Sequence, residues 1–240
     1  MTANNAWQKR KEQVPSDFNQ VASTYDLLTG MNPGYKKHLL WSAERLGLGA
    51  EPRILDLCCG TGLSTSALVK AYPNAEIDGV DASQEMLSAA RRKRWNANVQ
   101  FALGNAMDLS ECALSGPYDG ILMAYGIRNV PEMNQGLKTV FDNLKPGGRV
   151  CFHEYSVADS RRSRLVWNGV TAGIIIPAGL VTARGSDIYR YLRRSVLEFD
   201  GVKAFERRLR DQGFINVRTE PMDGWQKGIV HTFIAERPSA

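Results

Sequence analysis

The chain has 240 residues, 43% of them hydrophobic and 23% charged, which suits one α/β domain with a sizeable core. The longest apolar stretch, Val170 to Val181, contains Pro177 and is too short to span a bilayer, and the polar first 20 residues do not read as a secretory signal. The net charge of +5 is mildly basic, and four cysteines with no disulfide framework and no metal-ligand spacing point to a reduced, cytoplasmic setting without a bound metal.

Residues 1–15 read as loosely structured and 16–48 as two helical pieces split at Gly30-Met31-Asn32-Pro33-Gly34. Together they predict an N-terminal helical cap over 1–48, followed by a core over 49–240. From Arg53 to Gly62 a short apolar run ends in Asp56, then in a Gly60-Thr61-Gly62 loop, and a helical stretch from Leu63 to Tyr72 follows at once. A strand, a glycine turn and a helix N-terminus let backbone approach a ligand closely. A second strand-like run, Glu76 to Val80, ends in Asp81, about 20 residues beyond the loop, where a carboxylate can accept hydrogen bonds from two ribose hydroxyls.

Five alternating strand and helix units are expected over 53–157. Val99 to Asp108 reads as a strand entering a polar turn, Tyr118 to Ala124 as a buried strand, and Leu144 to Phe152 as a helix end, a Pro-Gly-Gly turn and a fifth strand. Residues 158–200 break the alternation without an obvious strand, and their apolar content predicts a lid over an apolar acceptor, with core packing or a dimer face as the other reading. Val202 to Gln212 reads as an amphipathic helix, and Phe214–Val217 and Ile229–Ala235 as closing strands. The expected fold is a doubly wound, Rossmann-like sheet, mostly parallel with an antiparallel closing strand.

The loop chemistry separates two nucleotide-like ligands. A dinucleotide site wants a third glycine where Thr65 stands, and Asp56 would repel a pyrophosphate while suiting an ammonium group. S-adenosyl-L-methionine (SAM) has an α-amino group, a sulfonium and no phosphate, so it fits better than NAD; a flavodoxin-like turn without cofactor is the bland alternative. The cations cluster at Arg91–Arg94, Arg161–Arg164, Arg193-Arg194 and Arg207-Arg208, as solvated helix faces or as a surface for an anionic partner such as a membrane. The segment Ala124 to Val130 lacks the Asn/Asp-Pro-Pro-Tyr pattern of enzymes that methylate base amines, which argues against a nucleic-acid acceptor.

The succession of elements resembles the class I SAM-dependent methyltransferases over about residues 20 to 236. Closer similarity lies in Val21-Ala22-Ser23-Thr24-Tyr25-Asp26, in Tyr125-Gly126-Ile127-Arg128-Asn129-Val130, in Tyr189-Arg190-Tyr191-Leu192-Arg193-Arg194-Ser195 and in Gly228-Ile229-Val230. These resemble segments of the ubiquinone/menaquinone biosynthesis C-methyltransferases (UbiE-type). The resemblance implies SAM as methyl donor, S-adenosyl-L-homocysteine as product, and a small lipophilic acceptor such as a demethylmenaquinone-like quinol.

It also implies a cofactor-binding set of Asp56, Cys58, Gly60, Thr61, Gly62, Asp81, Ala82, Met86, Asn105, Ala106, Ala124 and Tyr125. The catalytic candidates are Arg128 to steady a phenolate, His38 as base and Tyr25 as a substrate or cofactor contact, with His153 and Glu154 as weaker ones. Cys58 stands where many members have glycine, Ala124 where they have serine, and His153 and Tyr155 flank Glu154 where Leu-Glu-Phe is usual. A C-terminus with an extra Trp225 is a further departure. These differences keep open another small lipid or secondary metabolite as acceptor, at carbon or oxygen, and a non-catalytic SAM-binding scaffold as a different class. Oligomeric state, including a homodimer, and a peripheral membrane contact stay open.

Overall fold

The computed structural model describes residues 3–30, 32–114, 116–177 and 187–239. Seven strands form one sheet in the order β3-β2-β1-β4-β5-β7-β6. They are β1 (Arg53–Leu57), β2 (Glu76–Asp81), β3 (Asn98–Leu103), β4 (Tyr118–Ala124), β5 (Leu144–Tyr155), β6 (Ile215–Pro221) and β7 (Val230–Glu236). β1 to β5 pair in parallel, and β7 lies antiparallel to both β5 and β6. Nine described helices accompany them: α1 (Ala3–Glu12), α2 (Val14–Gly30), α3 (Tyr35–Glu44), α4 (Leu63–Ala71), α5 (Gln84–Arg91), α6 (Met133–Asn143), α7 (Arg161–Val170), α8 (Ile188–Glu198) and α9 (Val202–Asp211).

The strand chemistry explains the layering. β1 is buried from Ile54 to Leu57, as a central parallel strand covered on both faces must be. Ile54, Leu122, Cys151 and Ile234 point to one face and meet Leu39, Ala43 and Leu68 from α3 and α4. Leu55, Leu57, Ile121, Met123, Val150 and Phe152 point to the other and meet Leu137, Val140, Phe205 and Leu209 from α6 and α9. Each such side chain contributes about 1.5–3 kcal/mol by leaving water.

The expected N-terminal cap divides differently. α3 belongs to the main core, whereas Val14 and Val21 of α2 pack in a small separate cluster with Met86, Ile188 and Tyr191. Residues 3–12, expected to be loose, form α1. Its Trp7 ring lies 5.3 Å from Tyr191 and under the Arg194 guanidinium, so distant contacts hold a segment with little local apolar pattern. The 53–157 alternation has one gap: no helix is described between β3 and β4, where Asn105 and Asp108 each cap a turn by accepting from the backbone N–H two residues on.

Within 158–200 the described residues hold α7, a π-helical turn at Thr171–Ile175 and α8. The end of the apolar run, 178–181, lies outside the described residues. Among the described residues no helix is long and apolar enough to cross a membrane.

Candidate active site

A cavity of about 750 Å³ opens beyond the carboxyl ends of β1, β2 and β4, where ligands sit in open α/β sheets. Its volume lies within the usual range of small-molecule sites. One end is built from the β1–α4 and β2–α5 turns. Leaving β1, Cys58, Gly60 and Gly62 take φ of +61°, +55° and +84°, so three left-handed residues swing the chain into α4. Left-handed backbone explains why glycine is usual at position 58, and Cys58 occupies it with its thiol pushed up by burial. A Cβ at Gly60 would meet no atom within 4 Å, so its backbone lies open to a ligand. Gly60 N–H donates to Asp81 Oδ2 at 2.8 Å and Ser83 N–H to Asp81 Oδ1 at 2.8 Å.

Asp81 therefore presents a fixed carboxylate at the strand end, with lone pairs left over for a diol. Ala82, Met86, Asn105 and Ala106 line the same end, and Ala124 and Tyr125 link it to the other. An open glycine backbone, a pinned carboxylate and an apolar wall fit SAM.

Three expected cofactor contacts stand outside this lining. Asp56 is fully buried beneath the loop, where its Oδ2 accepts from the Ser64 and Thr65 hydroxyls at 2.8 and 2.6 Å. Through that oxygen it ties α4 to β1, its Oδ1 has no partner among the described residues, and burial raises its carboxyl to about 7. Thr61 turns its hydroxyl to Asp26 Oδ1, so it fastens α2 to the loop. Gly62 is needed for packing, because a Cβ there would lie 2.8 Å from the Trp95 ring.

At the far end Arg128 lines the cavity from the Ile127–Asn129 turn. Only 5% of its surface is exposed. Its Nη1 donates to Glu154 Oε1 and to the Tyr125 carbonyl, both at 2.7 Å, while its Nε has no partner among the described residues. Asn129 Nδ2 also donates to the Tyr125 carbonyl, and Asn129 Oδ1 accepts from the Tyr191 hydroxyl. Tyr125, at φ +57°, is thus a hub: its carbonyl gathers Arg128 and Asn129.

The Tyr125 ring stacks on Tyr35 with centroids 5.4 Å apart, and its hydroxyl meets His153 Nε2 at 2.9 Å. His153 is fully buried and continues through Ser42 to Thr232. Burial pushes the His153 imidazole down to about 3, so it is a neutral support. Tyr25 lines the cavity from α2, 3.5 Å hydroxyl to hydroxyl from Tyr35, and burial raises its phenol.

His38 is not part of this chamber. Its ring folds back against Gly34 at the left-handed start of α3, and its nitrogens engage Gln226 Oε1 and Asp223 Oδ1 in the Trp225 segment. The expected base is therefore a buried strut for the C-terminal turn. His231, antiparallel to Glu154 in the β5–β7 register, is a buried sheet residue.

The structure adds lining residues that the sequence did not disclose: Lys11, Val14, Pro15 and Phe18 from α1 and α2, and Met107, Glu111 and Cys112 after β3. Phe18 and Val14 sit in a helical register that periodicity would have found. Lys11 lies in the charged run Lys9-Arg10-Lys11-Glu12, which carries no such signal. Among the described residues no group of three or more His, Cys, Asp or Glu side chains suits a metal ion.

Comparison with known proteins agrees with this geometry. The demethylmenaquinone methyltransferase of Lactococcus lactis is 33% identical over 221 residues, covering 89% of this chain and 86% of that protein. Its counterpart in Staphylococcus aureus is 31% identical over 219 residues, covering 89% and 90%. The solved Haemonchus contortus phosphoethanolamine N-methyltransferase 2 in complex with SAM shares the fold at a TM-score of 0.65 and 18% identity, covering 92% of this chain and 57% of that one. The model of the ubiE/COQ5 methyltransferase family matches residues 6–236. The chain is a SAM-dependent methyltransferase and belongs to the ubiE/COQ5 methyltransferase family.

Proposed function

We propose that the chain methylates a ring carbon of a demethylmenaquinone-like quinol. The carrying observation is one continuous chamber with the Gly60–Asp81 turn at one end and Arg128, Tyr25, Phe18 and Val130 at the other. Donor and acceptor share one space, so alignment does much of the catalytic work. When bound, SAM supplies an electrophilic methyl group whose departing electron pair ends on a neutral thioether sulfur.

The acceptor loses a phenolic proton to water, its ring carbon attacks the methyl carbon, and the ring proton at that carbon passes to water as aromaticity returns. Arg128 stays charged throughout and serves as a hydrogen-bond donor through its free Nε, toward the acceptor oxygen or a water bound to it. Glu154 and the Tyr125 carbonyl hold that guanidinium in place, and the Tyr25 hydroxyl completes the polar rim. Asp81 holds the ribose, with Gly60, Ala82, Met86, Asn105, Ala106 and Ala124 around the nucleoside.

In this reading α1 and α2 act as the cap, and α7 and α8 belong to the lid. The outer face of α7 and the turn after it support a peripheral membrane contact: Leu165 on α7 is 73% and Ile174 in the turn 65% exposed, beside exposed Arg161, Arg162 and Arg164. Sedimentation with anionic vesicles tests that contact, and a Leu165→Glu variant should stay in the supernatant.

Incubation with methyl-labelled SAM and a short-chain demethylmenaquinol under reducing conditions tests the reaction. Mass and NMR spectra of the product should show a ring C-methyl group. A methyl ether as product, or no transfer by the folded enzyme, would sink this reading.

A further inference from the structure

The acceptor end of the chamber has a charge problem that Arg128 does not solve. Its guanidinium lies 2.7 Å from the Glu154 carboxylate and both are buried, so the pair is neutral as a unit. Opposite charges this close largely cancel at an oxygen a few ångströms away. The other charged groups lining the chamber are mostly acids: Glu12, Asp81, Asp108 and Glu111. An acceptor that ionises there gains a hydrogen bond from the Arg128 Nε but little net positive charge from these groups.

Lys11 is the exception. It lines the same chamber from the last turn of α1, and its Nζ donates to a neutral acceptor, the Val130 carbonyl, at 3.1 Å. Among the described residues it makes no ion pair, which distinguishes it from Arg128. Its helix is fixed at several points. Arg10 lies 4.7 Å over the Tyr191 ring and pairs with Asp17, and Gln8 Nε2 donates to Glu132. The same Tyr191 donates its hydroxyl to Asn129, so α1 and the Arg128 turn are braced on one side chain.

We propose that Lys11 is an acceptor-binding residue that holds the ionised oxygen of a phenolic acceptor and supplies the one positive charge lining the chamber that is held in no ion pair among the described residues. This rests on the quinol reading above and names the group that makes it electrostatically workable. The acceptor proton passes to water, and the cation favours the phenolate that remains. The groups that act on the ammonium are Arg128, Glu154 on β5, Glu198 on α8 and Asp200 after it, with Glu12 on its own helix. Burial and then Arg128 lower it from 10.5, with Glu198, Glu154 and Asp200 opposing.

The test uses a reporter that needs no turnover. 4-Nitro-1-naphthol, bound to the enzyme in the presence of S-adenosyl-L-homocysteine, changes absorbance on ionising. In the wild type its apparent pKa should lie about one unit below that in Lys11→Met, a tenfold change in ionisation, and Lys11→Arg should recover most of it. For methyl transfer to demethylmenaquinol, Lys11→Met should lower kcat/KM about tenfold and move the acid limb of its pH profile upward, with SAM affinity unchanged.

Equal dye titrations for wild type and Lys11→Met, both folded by circular dichroism, overturn the proposal. So does a loss of activity that Lys11→Arg fails to recover. A dye shift without quinol turnover would uphold Lys11 and sink the quinol reading, and turnover without a dye shift would do the reverse.

Discussion

Arg128 Nη1 and Glu154 Oε1 lie 2.7 Å apart, with the two side chains 5% and 0% exposed. Glu154 also accepts from the Tyr155 backbone N–H, so its carboxylate ties the Arg128 turn to the end of β5. Glu154→Gln would leave a buried guanidinium without its counter-charge, a change that costs about 3–5 kcal/mol in comparable buried pairs. Urea unfolding should show that loss. Arg128→Met should lower kcat by about 10- to 100-fold while SAM affinity, measured by calorimetry, stays within about twofold.

Asp81 offers the complementary measurement at the other end. Asp81→Asn keeps the shape but replaces a charged acceptor with a weaker, half-donor group. SAM binding should weaken by about 1.5–3 kcal/mol, or about 10- to 150-fold, in calorimetric titration. Full affinity in the variant would remove Asp81 from the ribose contact.

His153 sets an acid limit on the fold. Its native imidazole resists protonation down to about 3, while an unfolded one protonates near 6.5. Between those values the unfolded chain binds the extra proton, so stability falls as pH drops below about 6.5. His153→Leu should flatten that slope in melts taken between pH 4 and 6.5. It also frees the Tyr125 hydroxyl, and the acceptor KM should rise more than the SAM dissociation constant.

Asp56 works in the opposite direction. Its native carboxyl is raised to about 7 from 3.8, so the folded chain holds the proton across that interval and stability declines as pH climbs through it. Asp56→Asn should remove this decline. An unchanged pH–stability curve would mean that the carboxylate is ionised and satisfied well below neutrality.

Cys58 carries backbone strain that glycine would relieve. At φ +61° a residue with a Cβ costs about 1–2 kcal/mol relative to glycine. Its side chain also packs on the Gly126 backbone, where a Cβ would lie 2.8 Å from the Cys58 Cβ. Relief of strain outweighs loss of that small contact, so Cys58→Gly should raise the melting temperature by a few degrees in a calorimetric scan.

The sheet was legible because its signals are local: a buried run ending in Asp56, glycines at the turn, a second run ending in Asp81. The Arg128 turn was legible through its motif. His38 misled because a polar residue in a matching position says nothing about which way a helix faces. Its direction is set by Asp223 and Gln226, about 190 residues away in the chain. Lys11 was hidden for a related reason. α1 owes its place to Tyr191, Asp17 and Glu132, and a run of charges with no apolar period cannot reveal partners that far off. Asp56 was read for its charge, but its burial is decided by Ser64 and Thr65, which supply the hydroxyls that make a buried carboxylate tolerable.

The roof formed by α1 and α2 is fastened to the cofactor loops by side chains alone. Asn19 receives the Ser83 hydroxyl, Asp26 receives the Thr61 hydroxyl and pairs with Lys93, and the helix then ends at Gly30. One helix thus spans both halves of the chamber, because α2 carries Phe18 and Tyr25 as well as these fastenings. The two ends of the chamber therefore share one cover, and whatever loosens a fastening at the cofactor loops also loosens the wall that the acceptor meets.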